Sequence, residues 1–425
     1  MKIDLCVFRK DGKVGDSIKI QGDKLPFIAF KELFQKISKE GMLINSIDIS
    51  TLSDKQKEYV LTFASRYLYT FDKYISGVKK QHILKIYDKT TYIKDSIIIH
   101  KYMEYSKNLI NEPANIATPK YICQKVKRDF GRNVTVRVMN KVQMAKVGLN
   151  LVNAVGAGSS HEPRFLVMEY MSNEKYDNKS KAKTICLCGK GVTFDAGGTQ
   201  IKTGKNNSYK MKGDKTGGCI VIGIIKYFAE AYKGHDVNII GIVPLVENIV
   251  SGTAMLPGDI IRAYDGKTVE IIDTDAEGRL ILADAFGYSK KYNPDYIFDF
   301  ATLTGWAETL HCDISAAFFS PNLTLHKMVE EVGEDVGERT WGMPRWLEYM
   351  KYCKSDIADV KNHDLNIGSC TTGYMSAMFL AHFVPERYIN NWIHFDICNN
   401  VDGHIMNANT MKLAINLIKR LINIK

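Results

Sequence analysis

The chain has 425 residues, 45% of them hydrophobic, enough for two or three domains around a large core. No run of 18 apolar residues is present and Met1-Lys2-Ile3-Asp4-Leu5 lacks the apolar centre of a signal peptide, so no membrane association and a cytoplasmic location are expected. The net charge of +10 comes from scattered lysines without a nucleic-acid-binding motif, which argues against nucleic acid as the main partner, and nine cysteines without a C-x-x-C pair argue against a cysteine zinc site and for reduced thiols.

Residues 1–95 carry short apolar runs, such as Phe27-Ile28-Ala29-Phe30 and Tyr59-Val60-Leu61-Thr62-Phe63, and nothing that looks catalytic. The spacing of Ile97, Ile98, Tyr102, Tyr105 and Leu109 predicts a connecting helix over 96–110, which Asn111-Glu112-Pro113-Ala114-Asn115 breaks. Thr118-Pro119 starts another helix, with Thr as N-cap and Pro at the first helical position. From about 150 onward strands and helices alternate. Thr184–Cys188, Val237–Val243, Tyr296–Ala301 and Trp392–Ile397 read as strands, and Cys219–Tyr232, Gly278–Tyr288, Gly373–Phe383 and Thr410–Ile424 read as helices. The alternation predicts an α/β domain with a parallel or mixed sheet flanked by helices.

Two segments concentrate charge at turns. The strand at 184–188 runs into Gly189-Lys190-Gly191-Val192-Thr193-Phe194-Asp195-Ala196-Gly197-Gly198, which places Lys190 and Asp195 at the rim of a sheet, where ligands of open α/β sheets bind. Gly189-Lys190-Gly191 lacks the spacing of a phosphate-binding P-loop. Lys202 and Met211-Lys212-Gly213-Asp214 follow. Further on, Asp273-Thr274-Asp275-Ala276-Glu277-Gly278-Arg279-Leu280 puts carboxylates at 273, 275 and 277, on one side of an extended segment. Like charges so close need compensation. A divalent metal supplies it, because hard cations take carboxylate oxygen; a solvated acidic turn capping a helix is the alternative.

Together these motifs resemble the leucyl aminopeptidases, cytosolic exopeptidases with a dinuclear metal site. The family signature Asn-Thr-Asp-Ala-Glu-Gly-Arg-Leu is matched at seven of eight positions by 273–280, and Gly189–Asp195 matches Gly-Lys-Gly-x-Thr-Phe-Asp. Asn111–Asn115, Pro257-Gly258-Asp259, Ala301-Thr302-Leu303-Thr304-Gly305 and Lys354–Asp359 are similar to further family blocks, so the resemblance covers about 105–400 in order. It implies metal ligands at Lys190, Asp195, Asp214, Asp275 and Glu277, with Asp195 and Glu277 bridging two ions of zinc, manganese or magnesium. Lys202 and Arg279 are the implied catalytic residues that do not hold metal: Lys202 as a charged stabiliser of the oxyanion, Arg279 as the holder of a bicarbonate base. Met211, Thr302, Leu303 and Gly305 are implied to contact substrate. The implied partners are peptide substrates and other copies of the chain in a homohexamer. The implied organisation is an N-terminal domain over 1–95, smaller and α/β by analogy, a linker helix over 96–110 and a catalytic domain over 111–425. Lys190 can be a ligand only as a neutral amine, and burial beside two cations would depress its pKa in that direction.

The chain departs from the family at Asp273, where Asn is usual, in a Lys202–Asp214 stretch one residue longer, at Thr371-Thr372 in place of Gly-Gly, and at Cys398-Asn399 in place of Ala-Gly. The last two put a preference for leucine in question. Competing functions are a catalytically silent relative acting as a scaffold, and a nucleic-acid-binding protein motivated by the net charge. The presence of all seven implied metal and catalytic residues speaks against a silent relative.

Overall fold

In a computed structural model of the chain, the residues described are 5–8, 26–40, 43–50, 52–77, 85–87, 93–171, 182–203, 208–232, 237–364, 372–398, 401–402 and 405–423. The apolar runs near the N-terminus are helical. Phe27–Phe30 lies in α1 (Pro26–Lys39) and Tyr59–Phe63 in α2 (Asp54–Tyr67), whose N-terminus is closed by a Ser53–Gln56 capping box. The two helices meet through Phe27, whose ring lies edge-on to Tyr59 and Phe63 at 5.3 and 4.9 Å. Beside them is a three-stranded sheet of β1 (Leu5–Phe8), β2 (Leu43–Asp48) and β3 (Lys85–Tyr87), with β2 in the middle. The expected connecting helix is α3 (Lys94–Asn111), and its Ile99, Tyr102, Met103, Leu109 and Ile110 enter the core of the larger unit. Thr118 and Pro119 begin α4 (Pro119–Asp129) as the sequence predicts, Thr118 Oγ1 accepting a hydrogen bond from Tyr121 N.

The remaining elements in chain order are β4 (Val134–Met139), α5 (Lys141–Val147), α6 (Asn150–Val155), β5 (Arg164–Tyr170), β6 (Lys183–Gly189), β7 (Gly191–Asp195), α7 (Thr216–Glu230), β8 (Val237–Asn248), β9 (Ile260–Arg262), β10 (Thr268–Glu270), α8 (Glu277–Ser289), β11 (Tyr296–Ala301), α9 (Gly305–His311), β12 (Ala316–Phe319), α10 (Leu323–Val336), β13 (Thr340–Gly342), β14 (Val360–Lys361), α11 (Thr372–Ala381), β15 (Trp392–Asp396), β16 (Val401–Asp402), β17 (Ile405–Met406) and α12 (Met411–Ile422). Each strand and helix expected from residue 150 onward is present. The largest shift of boundary is in β8, which runs five residues past Val243.

The main sheet is mixed, in the order β13-β12-β15-β11-β6-β8-β5-β4, and β7 lies along the far end of β8. Strands β15, β11, β6, β8 and β7 are mutually parallel, and antiparallel partners stand on both flanks. Its two faces read directly off β6. Ile185 and Leu187 belong to a core shared with α3, α4, α7, α10 and α12, whereas Cys186 and Cys188 belong to one shared with α5, α6, α8 and α11. All twelve residues of β8 are buried, as expected of a strand covered by helices on both faces.

Candidate metal centre

The parallel strands deliver polar residues to one edge of the sheet. Lys190 follows β6, Asp195 ends β7, Asn248 ends β8, and Thr302-Leu303 follow β11. Lys190 is fixed by its own backbone, donating from N to Phe300 O at 3.0 Å and accepting from Gly218 N at 2.7 Å. After Asp195 the chain doubles back through Gly197 and Gly198, both at positive φ (89° and 65°), a conformation that L side chains avoid. That turn brings Lys202 back to the rim.

The expectation of an extended 273–277 segment is corrected. Residues 274–275 form a turn and Glu277 is the first residue of α8, so the three carboxylates do not share one face of a strand. Asp273 Oδ1 accepts from Asp275 N at 2.8 Å, a local closure that acidic residues make readily and that competes with extension. Thr274, fully buried, donates from Oγ1 to Gly197 O at 2.7 Å and from N to Gln200 Oε1 at 2.6 Å, which ties this turn to the one after β7. Asn248 donates from Nδ2 to both Asp195 Oδ1 (2.9 Å) and Thr274 O (3.0 Å). The segment is therefore an acidic turn leading into a helix, with Thr274, Ala276 and Glu277 buried and Asp273 and Asp275 half-buried. Glu277 is 0% exposed and sits where the helix N-terminus favours an anion.

Two lysines and four carboxylates meet there. Lys190 Nζ lies 2.8 Å from Asp214 Oδ1 and 2.9 Å from Glu277 Oε1, and donates to Thr302 O at 2.7 Å. Lys202 Nζ lies 2.9 Å from Asp195 Oδ2 and 2.5 Å from Asp275 Oδ1. Asp195, Asp275 and Glu277 each present one oxygen within 4.8 Å of the others. Asp273 is not in this group. Burial, and then the charges of Asp195 and Glu277, push the Asp275 carboxyl up to about 8. Burial likewise raises Glu277, and raises Asp214 well above the carboxylate range. For Lys190 burial works downward, but Asp214, Glu277 and Asp195 together outweigh it and the net shift is upward. The depression expected of Lys190 therefore needs bound cations to offset those carboxylates.

The donor set fits divalent ions. Asp214 Oδ2 and Glu277 Oε2 are buried without a hydrogen-bond partner, a costly state for carboxylate oxygens unless something positive reaches them. Hard cations take such oxygens, and a neutral Lys190 would add a nitrogen. Most of the other expected site residues line one cavity of about 270 Å³ at this edge: Lys202 with Met211, Thr302, Leu303 and Gly305. Arg279 is buried on α8 and does not reach that wall. It donates from Nη1 to Asn362 O at 2.7 Å, while its Nε lacks a partner.

The structure also supplies members that sequence patterns do not show. Asn248, Gln200 and Asn362 bind the site loops from distant segments, and no local pattern marks them, Asn248 lying five residues past the end expected for its strand. Cys398, one of the departures, lines the cavity, whereas Thr371 and Asn399 fall outside the described residues. Four of the residues in the lengthened Lys202–Asp214 stretch, 204–207, also fall outside them.

The model for the cytosol aminopeptidase family, catalytic domain, matches residues 104–415. The chain is similar to a protein of Cenarchaeum symbiosum (strain A) named probable cytosol aminopeptidase, with 40% identity over 307 residues that cover 72% of this chain and 60% of that protein. It is also similar to proteins of the same name from Rickettsia massiliae (strain Mtu5), 33% identical over 94% of this chain and 82% of the relative, and from Phytoplasma mali (strain AT), 35% identical over 84% and 70%. It spans about three fifths of the length of several of the curated relatives it matches. The family match takes in the whole of the main sheet and every residue of the carboxylate–lysine cluster, and the chain belongs to the cytosol aminopeptidase family.

Proposed function

We propose that the chain is a metal-dependent aminopeptidase that removes N-terminal residues from peptides with two divalent ions, zinc, manganese or magnesium. The observation that carries this reading is the cluster of buried Asp195, Asp214 and Glu277 with half-buried Asp275, with two oxygens unpartnered, opening on a cavity. In this reading Lys190, Asp195, Asp214, Asp275 and Glu277 would hold the ions. Bound there, the ions would polarise the peptide carbonyl and make water a nucleophile at neutral pH. Lys190 gives up its proton to enter the set. Lys202 keeps its proton and stabilises the oxyanion. Arg279, which is buried off the cavity wall and donates to Asn362 O, would hold a bicarbonate whose chemistry would be that of a general base. Met211, Thr302, Leu303 and Gly305 receive the first residue, and the acidic rim suits a free α-amino group, which accounts for cleavage from the N-terminus. The protein works in the cytoplasm as a homohexamer, with an N-terminal domain over 1–95, a linker helix over 96–110 and the catalytic domain over 111–425.

Dialysed protein supplied with manganese or zinc is expected to hydrolyse aminoacyl amides but not their N-acetylated forms. Glu277→Ala is expected to lose nearly all activity and at least one ion per chain. Absence of hydrolysis in wild-type protein carrying two ions overturns the reading, and so does an active Glu277→Ala variant that retains both. Sedimentation tests the hexamer, as a species of six 48.0 kDa chains.

A further inference from the structure

On the face of the sheet covered by α8 and α11, three polar residues sit with no exposure: Asp299 on β11, and His394 and Asp396 on β15. None belongs to the residues assigned above. Asp396 stands at the end of its strand and accepts hydrogen bonds from the turn that follows β11. Its Oδ1 takes Leu303 N at 3.2 Å and Thr304 N at 3.3 Å, and its Oδ2 takes Thr304 Oγ1 at 2.5 Å. The Cys398 thiol is bonded to it as well; burial, helped by Asp396, pushes that thiol well above its ordinary pKa, so it stays an S–H donor. The other side of the same turn is held by Lys190 Nζ on Thr302 O (2.7 Å) and by Thr302 Oγ1 on Asp214 Oδ1 (2.6 Å). Thr302–Thr304 is thus clamped between the carboxylate–lysine cluster on one side and a buried carboxylate outside it on the other.

A second buried pair lies on the same strands beside this jaw, bonded within itself. Asp299 Oδ1 lies 2.6 Å from His394 Nδ1, and Trp392 Nε1 donates to Asp299 Oδ2 at 2.8 Å. Burial works to keep His394 neutral, but the neighbouring Asp299 outweighs it and holds the imidazole toward its charged form, beside Asp396. A buried carboxylate is costly to desolvate, and it persists where several donors converge on it, each bond stronger for the charge. Here the donors are the backbone and hydroxyl of the turn that carries Leu303 and precedes Gly305.

We propose that Asp396 is a positioning residue for substrate: it fixes the Thr302–Gly305 turn against Lys190 and Asp214, and so sets where the first residue of a peptide lies relative to the carboxylate cluster. The proposal rests on the aminopeptidase reading of the cavity. Asparagine at 396 keeps one acceptor oxygen for the two amides and can donate from its amide nitrogen to the Thr304 hydroxyl, so what it removes is the charge that strengthens those bonds. Asp396→Asn is expected to raise KM for an aminoacyl amide about tenfold or more, the scale of bonds losing a charged acceptor, with metal content unchanged. Thr304→Val, which removes one of the bonds, is expected to raise KM less, and Thr304→Ser, which keeps the hydroxyl, to restore it. Hydrogen exchange at the Leu303 and Thr304 amides is expected to quicken in Asp396→Asn. An unchanged KM in folded, metal-loaded Asp396→Asn overturns the proposal, as does a variant that loses only thermal stability. If Asp396→Asn does not fold, the Thr304 pair decides. If wild-type protein proves inactive, the aminopeptidase reading falls, and the exchange rates alone judge the clamp, with unchanged protection refuting it.

Discussion

Lys190 and Lys202 both meet carboxylates, yet their side chains differ in exposure, 4% against 28%, and in what holds them. Lys190 is bonded to a backbone carbonyl as well as to two acids; Lys202 only bridges Asp195 and Asp275. Removing Lys202 takes away an ammonium that competes with metal for those acids. Lys202→Ala is therefore expected to bind metal at least as tightly as wild type while kcat falls roughly 10²–10³-fold, the scale of one lost oxyanion donor. Metal analysis beside single-substrate kinetics separates the two effects, and an unchanged kcat would remove Lys202 from the mechanism. Asp273 carries the opposite expectation. Its Oδ1 accepts the Asp275 amide, and Asn362 holds its backbone from both sides, donating to Asp273 O and accepting from Asp273 N. An asparagine carbonyl can accept the same amide bond. Asp273→Asn should then leave manganese and zinc affinities and the pH–rate profile unchanged, and a weaker or re-ranked titration would restore the idea that the extra carboxylate tunes the metals.

At the scale of elements, α8 does two jobs. Its first residue is Glu277, and two turns on, Asp284 accepts from Val152 N (3.1 Å) and Tyr264 N (2.8 Å), joining α6 and the loop after β9 to the helix. Burial raises the Asp284 carboxyl from 3.8 to about 7. The folded state thus holds this proton longer than the unfolded chain does. The stability it lends is complete below pH 3.8 and is lost as pH rises through about 7. In Asp284→Asn that slope is absent. The variant starts less stable at low pH, for want of one acceptor, and the gap in Tm from wild type should narrow between pH 4 and 7; parallel curves across that range would show that Asp284 does not titrate there. The pattern of elements was legible because the apolar periods of two and 3.6 are local properties of sequence. The 273–277 turn was not, because the bond from Asp275 N to Asp273 Oδ1 favours a turn and the expectation was built on charge spacing alone.

Across the whole molecule, the N-terminal helix α2 is tied to the larger unit by buried ions. Lys412 on α12 lies 2.6 Å from Glu58 Oε2 and donates to Thr62 Oγ1 at 2.8 Å, with side-chain exposures of 1% for the lysine and 9% for Glu58. Lys107 on α3 donates to Ser65 O and Oγ, and burial depresses its pKa to about 7. Breaking a buried pair by removing one partner leaves the other charge without compensation. Lys412→Ala is expected to cost about 3–5 kcal/mol in chemical denaturation, and Lys412→Met combined with Glu58→Leu considerably less. A single variant within about 1 kcal/mol of wild type would show the pair to be solvated like a surface bridge.

The sequence by itself determined the order of strands and helices from residue 150, the capped start of α4, and the identity of the residues that gather at the sheet edge. The first two follow from local periodicity and capping chemistry, and the third from motifs matched to those of a known family. Only the tertiary structure decided which oxygens lack a partner, that Arg279 lies off the cavity wall, and that Asn248, Asn362 and Asp396 hold the site together. Those facts depend on contacts between segments tens to hundreds of residues apart. No local pattern records them, because the energy of a buried polar group is set by whatever the fold brings against it.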